Sequence, residues 1–341
     1  MEAVFSEIQG RHASQRFLRH GAVVDYPESP ERLQRLLAGV NKAGLDLRQP
    51  ASFDDAHLAA VHSRRYLDFL ANGHAEWMKL PGAFPEIMPS ARPVETPSDY
   101  PSNILGRAGW HIMDFAGAVS AETWGSVRMS AMSALTAADL VAGGADAAYA
   151  LCRPPGHHAY GERSGGFCYL NNSAIAAQYL RRAHDRVAIL DIDVHHGNGT
   201  QGIFYDRGDV LTVSIHADPA TYYPFYYGYA SQVGAGAGEG FNLNLPVPVR
   251  SDDRVWAQAL EIARRCIADY RPGALVLALG LDAHEADPLA GGAVTTEGFA
   301  VMARMIAEIG LPTVLVQEGG YLSPVLGDNL AAFLTAFRRA R

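Results

Sequence analysis

Short apolar runs recur along the chain with no polar alternation inside them. They stand at 3–5 ("AVF"), 147–153 ("AAYALCR"), 187–193 ("VAILDID"), 210–216 ("VLTVSIH"), 274–280 ("ALVLALG") and 313–318 ("TVLVQE"). A strand apolar on both faces cannot border water, so these runs predict a parallel sheet covered by helices on both sides. Helical patterns fill the intervals. Residues 29–44 have Ser29 as N-cap, Pro30 at the first helical position and Gly44 as a stop. Residues 252–270 set Trp256, Leu260, Ala263, Ile267 and Tyr270 three and four apart, the stripe of a helix packed on a sheet. Such alternation implies parallel strands joined by right-handed crossovers. No repeat or linker interrupts it, so residues 1–341 read as a single α/β domain: a mainly parallel, multi-stranded sheet flanked by helices.

Composition narrows the function classes. With 48% apolar and 19% charged residues the chain can bury a core, which argues against disorder. Cys152, Cys168 and Cys266 are too far apart for a CxxC zinc site and odd in number, so a reducing, cytoplasmic setting is expected. The net charge of −8 argues against nucleic acid as a partner. The opening "MEAVFSEIQG" does not read as a signal peptide, and no run approaches the ~18 apolar residues that span a bilayer, so no membrane is expected.

One stretch breaks the pattern. Pro81, Pro85, Pro89, Pro93, Pro97 and Pro101 stand every fourth residue, which excludes a helix there. Phe84, Ile87, Met88, Val94 and Tyr100 give the segment apolar groups to bury, so an ordered excursion is expected.

The chemistry concentrates in "ILDIDVHHGNGT", 189–200. Aspartates and histidines at the end of a buried strand are costly unless paired or bound to a metal. Alternation along a strand puts Asp191, Asp193 and His195 on one side, and Val194 and His196 on the other. Open parallel sheets bind ligands beyond the carboxyl ends of their strands. Asp282, after the run 275–280, supplies a third group of the same kind. Asp193, His195 and Asp282 would hold zinc or ferrous iron through three protein ligands, leaving a position open, as catalytic sites do.

A second histidine pair follows another strand, in "CRPPGHHAYGERSGGFCYLNN". The turn at Pro154-Pro155-Gly156 lets both His157 and His158 reach a cavity, one carrying protons and one as its electrostatic partner. Each needs an acceptor to fix its tautomer, and Asp191 and Asn198 are candidates. Tyr321 in "VQEGGYLSP" follows two glycines at a strand end, where a phenol could donate to an oxyanion. "GAGAGEG" at 234–240 looks like a phosphate loop, but "FNLNLPVPV" after it reads as a strand, whereas a dinucleotide fingerprint opens a helix. No GxSxG elbow is present. His12, His20, His57, His62, His74, His111, His184 and His284 are expected to pack or face solvent, and His216 to support the site from behind.

"RPPGHHA", "GGFCYLNN", "LDIDVHHGNGTQ", "VSIHADP", "LGLDAHEADPL" and "EGGY" resemble, in order and spacing, the histone deacetylase and acetylpolyamine amidohydrolase family of the arginase–deacetylase superfamily. The resemblance runs from about residue 20 to the end. It implies Asp193, His195 and Asp282 as metal ligands, His157 and His158 as the tandem histidines with His158 the proton shuttle, and Asp191 behind His157. Asn198 matches a position that is Asp or Asn in the family, and Tyr321 the carbonyl-polarising tyrosine. Phe167 and Tyr223 match the aromatic walls of the channel, beside Gly166, with tyrosine at 223 in place of the commoner phenylalanine. The family also implies structural potassium held by Asp191, Ser214 and the backbone of Asp193, His195 and Ile215. The Pro-rich insertion at about 78–108 resembles one that builds a homodimer and narrows the cleft in polyamine deacetylases. There a glutamate faces the substrate amine; here Leu105 stands at that place, with Glu95 or Asp99 as substitutes.

The expected activity is metal-dependent removal of acetyl groups from acetylated polyamines or diamines. A protein acetyl-lysine deacetylase is the first alternative and a non-catalytic amide-binding module the second. An arginase-like amidine hydrolase would want two metals and a more carboxylate-rich site.

Overall fold

The computed structural model describes residues 1–19, 21–93 and 98–341. Among the described residues ten strands are formed: β1 (Ala3–Val4), β2 (Arg16–Arg19), β3 (Ala22–Asp25), β4 (Leu47–Arg48), β5 (Ala147–Ala150), β6 (Val187–Asp191), β7 (Val210–Ala217), β8 (Asn242–Val247), β9 (Ala274–Leu279) and β10 (Thr313–Gln317). Eight of them make one sheet in the order β4-β1-β5-β10-β9-β6-β7-β8, with every pairing parallel. The apolar runs are its buried middle: every residue of β5, β6, β7, β9 and β10 is buried.

Helices cover both faces, as unalternated strands require. One layer of core unites Leu190, Val213, Leu277 and Leu315 with Leu36, Trp256, Leu260, Phe299 and Phe333. The other unites Ile189, Val276 and Val316 with Ala137, Ala177 and Phe204. The two helices read from sequence form at Pro30–Lys42 and Asp253–Tyr270. Ser29 occupies the N-cap of the first but makes no capping hydrogen bond, whereas the Asp252 side chain accepts the Val255 N–H. The chain is a single domain.

The described residues of the Pro-rich excursion, 81–93 and 98–103, form no helix or strand ahead of the helix Ile104–His111. It is held to the body by the Ile87–Val119 bridge, by Trp77 Nε1 donating to the Phe84 carbonyl at 2.8 Å, and by Arg92 Nε donating to the Ile112 carbonyl at 3.0 Å. Ile87 is buried and Tyr100 packs on Trp110 and His111. Phe84, expected to bury its ring, is exposed instead, because the strap that carries it is anchored through its carbonyl. Val94 and Glu95 lie outside the described residues.

Three strands have no counterpart in the sequence reading. β2 and β3 form a two-stranded antiparallel hairpin beside the cavity, and β4 is an edge strand of two residues. They are too short and too exposed to leave an apolar signature. "GAGAGEG" is a turn containing a short 3-10 helix, Gly236–Gly238, and "FNLNLPVPV" is the strand β8 that follows it.

Candidate active site

The carboxyl ends of β5, β6, β9 and β10 lie side by side in the sheet, and the predicted groups converge beyond them. β6 ends at Asp191, earlier than expected, so strand pleating does not align the three side chains. Two successive turns do. Asp191 Oδ1 accepts the Asp193 N–H at 3.0 Å, and Asp193 Oδ1 accepts the His195 N–H at 2.9 Å. Aspartate side chains commonly cap the backbone two residues on, and here the repeat keeps both Asp193 and His195 facing the centre.

Asp193, His195 and Asp282 bring one ligand atom each within 4.8 Å of one another. His195 Nδ1 lies 3.1 Å from Asp193 Oδ1 and 3.1 Å from Asp282 Oδ2. The second oxygens are held by the backbone: Gly319 N–H donates to Asp193 Oδ2 at 2.7 Å, and Val194 N–H to Asp282 Oδ1 at 3.0 Å. A Cβ at Gly319 would collide with both carboxylates, so the first glycine of "GGY" serves close approach. Both aspartates are fully buried, and among the described residues their ion-pair partners are histidines only. The two buried carboxylates converge on His195 Nδ1, and the O,O,N donor set suits a divalent zinc or ferrous ion.

The tandem histidines take different partners. His157 Nδ1 donates to Asp191 Oδ2 at 2.8 Å, and His158 Nδ1 to Asn198 Oδ1 at 2.6 Å. Burial disfavours a charged His157, but the adjacent Asp191 and Asp193 carboxylates outweigh it and push its pKa up to about 10. Burial holds His158 well below its ordinary value, and charge on His157 and His195 pushes the same way. The surroundings therefore favour charge on His157 and a neutral His158, which lines the cavity.

That cavity, of about 340 Å³, is lined at its base by His158, His195 and Tyr321 and along its sides by Gly166, Phe167 and Tyr223. Phe167 meets Tyr321 edge-on at 5.7 Å between ring centroids, and Tyr222 stacks on His195 at 5.1 Å. Among the described residues the Tyr321 hydroxyl has no hydrogen-bond partner, although its backbone is held firmly.

Of the residues assigned to an ion behind the site, Asp191 and Ser214 are direct partners in the β6–β7 register, with Ile215 next along β7. His216 supports Ser214, its Nδ1 lying 2.8 Å from Oγ. His12, His62 and His111 are buried packing residues, His196 lies against His216 and Asn244, and His20 lies outside the described residues. Leu105 and Asp99 are exposed and do not line the cavity; Glu95 is outside the described residues.

Sequence reasoning missed several contributors. Glu318 Oε2 accepts the N–H groups of Gly156 and His157 at 2.6 and 3.0 Å, and Oε1 accepts the Ser173 hydroxyl at 2.7 Å. It anchors the tandem-histidine turn, and its place in "VQEGGY", at a strand end, was the available signal. Asp287 holds Tyr321, and Arg32 lies over the Tyr321 ring at 5.2 Å while donating to the Gly320 carbonyl. Asp114, bonded to both Tyr223 and Gly166, sits in a loop without any local signature.

The Histone deacetylase domain profile matches residues 26–337. The acetylpolyamine amidohydrolase of Burkholderia pseudomallei is 44% identical over 341 residues, spanning 100% of both chains. That of Mycoplana ramosa is 40% identical over 337 residues, spanning 98% of each. The crystal structure of acetylpolyamine aminohydrolase from Burkholderia pseudomallei superposes with a TM-score of 0.96 over 100% of this chain and 99% of that one, at 44% identity. The HDA15 HD domain gives 0.78 at 26% identity, over 99% of this chain and 90% of that one. With the profile spanning most of its length and full-length relatives at this identity, the chain belongs to the histone deacetylase domain family.

Proposed function

We propose that this protein is a metal-dependent amidohydrolase that removes acetyl groups from acetylated polyamines or diamines. The observation that carries the reading is the Asp193–His195–Asp282 cluster, whose His195 opens onto the same cavity floor as the neutral His158 and the unpartnered Tyr321 hydroxyl. A divalent ion held by the first three residues, zinc or ferrous iron, would supply Lewis acidity toward the amide carbonyl and a water. His158 Nε2 takes the proton of the attacking water, its tautomer set by the Nδ1 bond to Asn198. Tyr321 donates to the oxyanion that develops on the carbonyl. His158 then returns the proton to the leaving nitrogen, since an amine leaves poorly as an anion. His157, kept cationic by Asp191, stabilises the developing negative charge and limits the basicity of its neighbour.

Phe167, Tyr223 and Gly166 fit a slim methylene chain. The names of the full-length relatives, acetylpolyamine amidohydrolases, support an amine of that class. The Asp191–Ser214 register supports a structural potassium ion held with Ile215 and the backbone of Asp193 and His195. Exposed Phe84 and Leu105 on the 78–108 segment support homodimer formation through it, and the buried free thiols Cys152 and Cys168 suit the cytoplasm. No helix among the described residues is long and apolar enough to cross a membrane.

The deciding experiment compares kcat/KM of metal-loaded protein for acetylputrescine, acetylcadaverine and an acetyl-lysine peptide. Preference for the small amides is expected. Preference for the peptide would make the protein a lysine deacetylase, and no acetate release from any of them would leave a binding module.

A further inference from the structure

The two aromatic walls of the cavity are tied to a side chain that belongs to neither. Asp114 lies beyond the Pro-rich segment and is the one carboxylate among the described residues lining the cavity. Its Oδ2 accepts the Tyr223 hydroxyl at 2.6 Å and the Gly166 N–H at 3.0 Å, while Oδ1 accepts the Ala116 N–H at 3.0 Å.

The Gly166 bond restrains an unusual turn. Gly166 and Phe167 both have left-handed backbones, with φ of 54° and 69°. For phenylalanine this conformation is unfavourable and persists only where surrounding contacts enforce it. Gly165 and Cys168 close the turn through paired backbone bonds at 3.0 and 2.9 Å. A Cβ at Gly166 would strike the His158 ring and come within 3.0 Å of the Tyr223 hydroxyl, so the turn is wedged between the base and the opposite wall.

The geometry points to Asp114 as a positioning residue for substrate selection, which sets the channel width by tying the Phe167 turn and the Tyr223 ring to one carboxylate. The inference rests on the proposed entry of acetylated amines between those rings. Tyrosine at 223 provides the hydroxyl that the tie needs. Recognition of the substrate's ammonium by Asp114 fits less well, because its oxygens already accept Tyr223, Gly166 and Ala116. The Pro-rich segment braces the same loop: Arg92 bonds the Ile112 carbonyl and covers the Phe115 ring at 4.9 Å. In this chain the segment acts on the channel through the Asp114 loop, with Asp99 and Leu105 away from the lining.

Tyr223→Phe removes the hydroxyl and keeps the ring, and Asp114→Asn keeps the loop's size. Each is expected to shift the kcat/KM ratio of acetyl-lysine peptide to acetylputrescine toward the peptide by about tenfold, mainly through a higher KM for acetylputrescine. The double variant should go little further than either. A ratio within about twofold of the parent in Tyr223→Phe overturns the proposal. So does a rise in acetylputrescine KM confined to Asp114→Asn, which would mark ammonium recognition. Urea unfolding of the parent, both single variants and the double variant tests the tie without catalysis. Non-additive losses are expected, and strict additivity overturns it. If the parent hydrolyses none of these amides, the functional reading fails by itself and the unfolding cycle still decides the tie.

Discussion

Asp287 Oδ2 accepts the backbone N–H of Tyr321 at 2.8 Å across 34 residues of sequence, and its Oδ1 accepts the Leu289 N–H at 2.9 Å. The turn that presents the phenol therefore hangs on a carboxylate of the neighbouring strand end, with Gly320 at a φ of 109° supplying the reversal. Asp287→Ala leaves the Tyr321 N–H without its partner and lets the turn drift. Turnover should fall by about tenfold or more with a smaller change in KM. Unchanged kcat in a folded variant would show that the turn holds without Asp287.

Tyr321→Phe removes only the hydroxyl proposed to donate to the oxyanion. The loss of one such donor typically lowers kcat by about a hundredfold or more while substrate still binds. Steady-state kinetics, with calorimetric titration of acetylputrescine into the variant, check both halves. Full activity would remove Tyr321 from the chemistry.

Chelation should abolish acetate release and lower the unfolding temperature together, because Asp193 and Asp282 would face each other fully buried with His195 alone between them. Adding back zinc or ferrous ion should restore both. The stabilisation is about 4 kcal/mol at a thousandfold excess over Kd. Elemental analysis of protein purified without added metal identifies the native ion.

Acid should remove the stabilisation that two buried neutral histidines provide. Burial, aided by Arg153, holds the His12 pKa at about 3, and burial holds that of His62 at about 4. His62 Nε2 must also stay unprotonated to accept the Asn171 N–H at 2.9 Å. Both folded values lie below the unfolded imidazole value, so the unfolded chain binds more protons between about pH 6.5 and 4. Their contribution is fully present above that window and is lost as pH falls through it, by on the order of a few kcal/mol. Urea midpoints at pH 7.5, 6 and 5 should decline, and His12→Asn should flatten the decline.

The parallel sheet and most of the candidate site were legible in the chain itself, for a local reason. Strands buried on both faces must be continuously apolar, so β5, β6, β7, β9 and β10 announced themselves, and polar residues at their ends stood out. Asp193, His195, Asp282, His157, His158 and Tyr321 all carry that signal. What the tertiary structure alone decided were contacts between residues with no local pattern. The side on which Asp193 and His195 emerge depends on consecutive side-chain-to-backbone turns, since β6 has already ended. Asp114 meets Tyr223 across 109 residues, and Glu318 reaches under His157 across 161. A lone acid in a loop looks the same whether it faces solvent or braces a turn of the candidate site. Only the packing that excludes water from it, and so obliges it to find donors, tells the two apart.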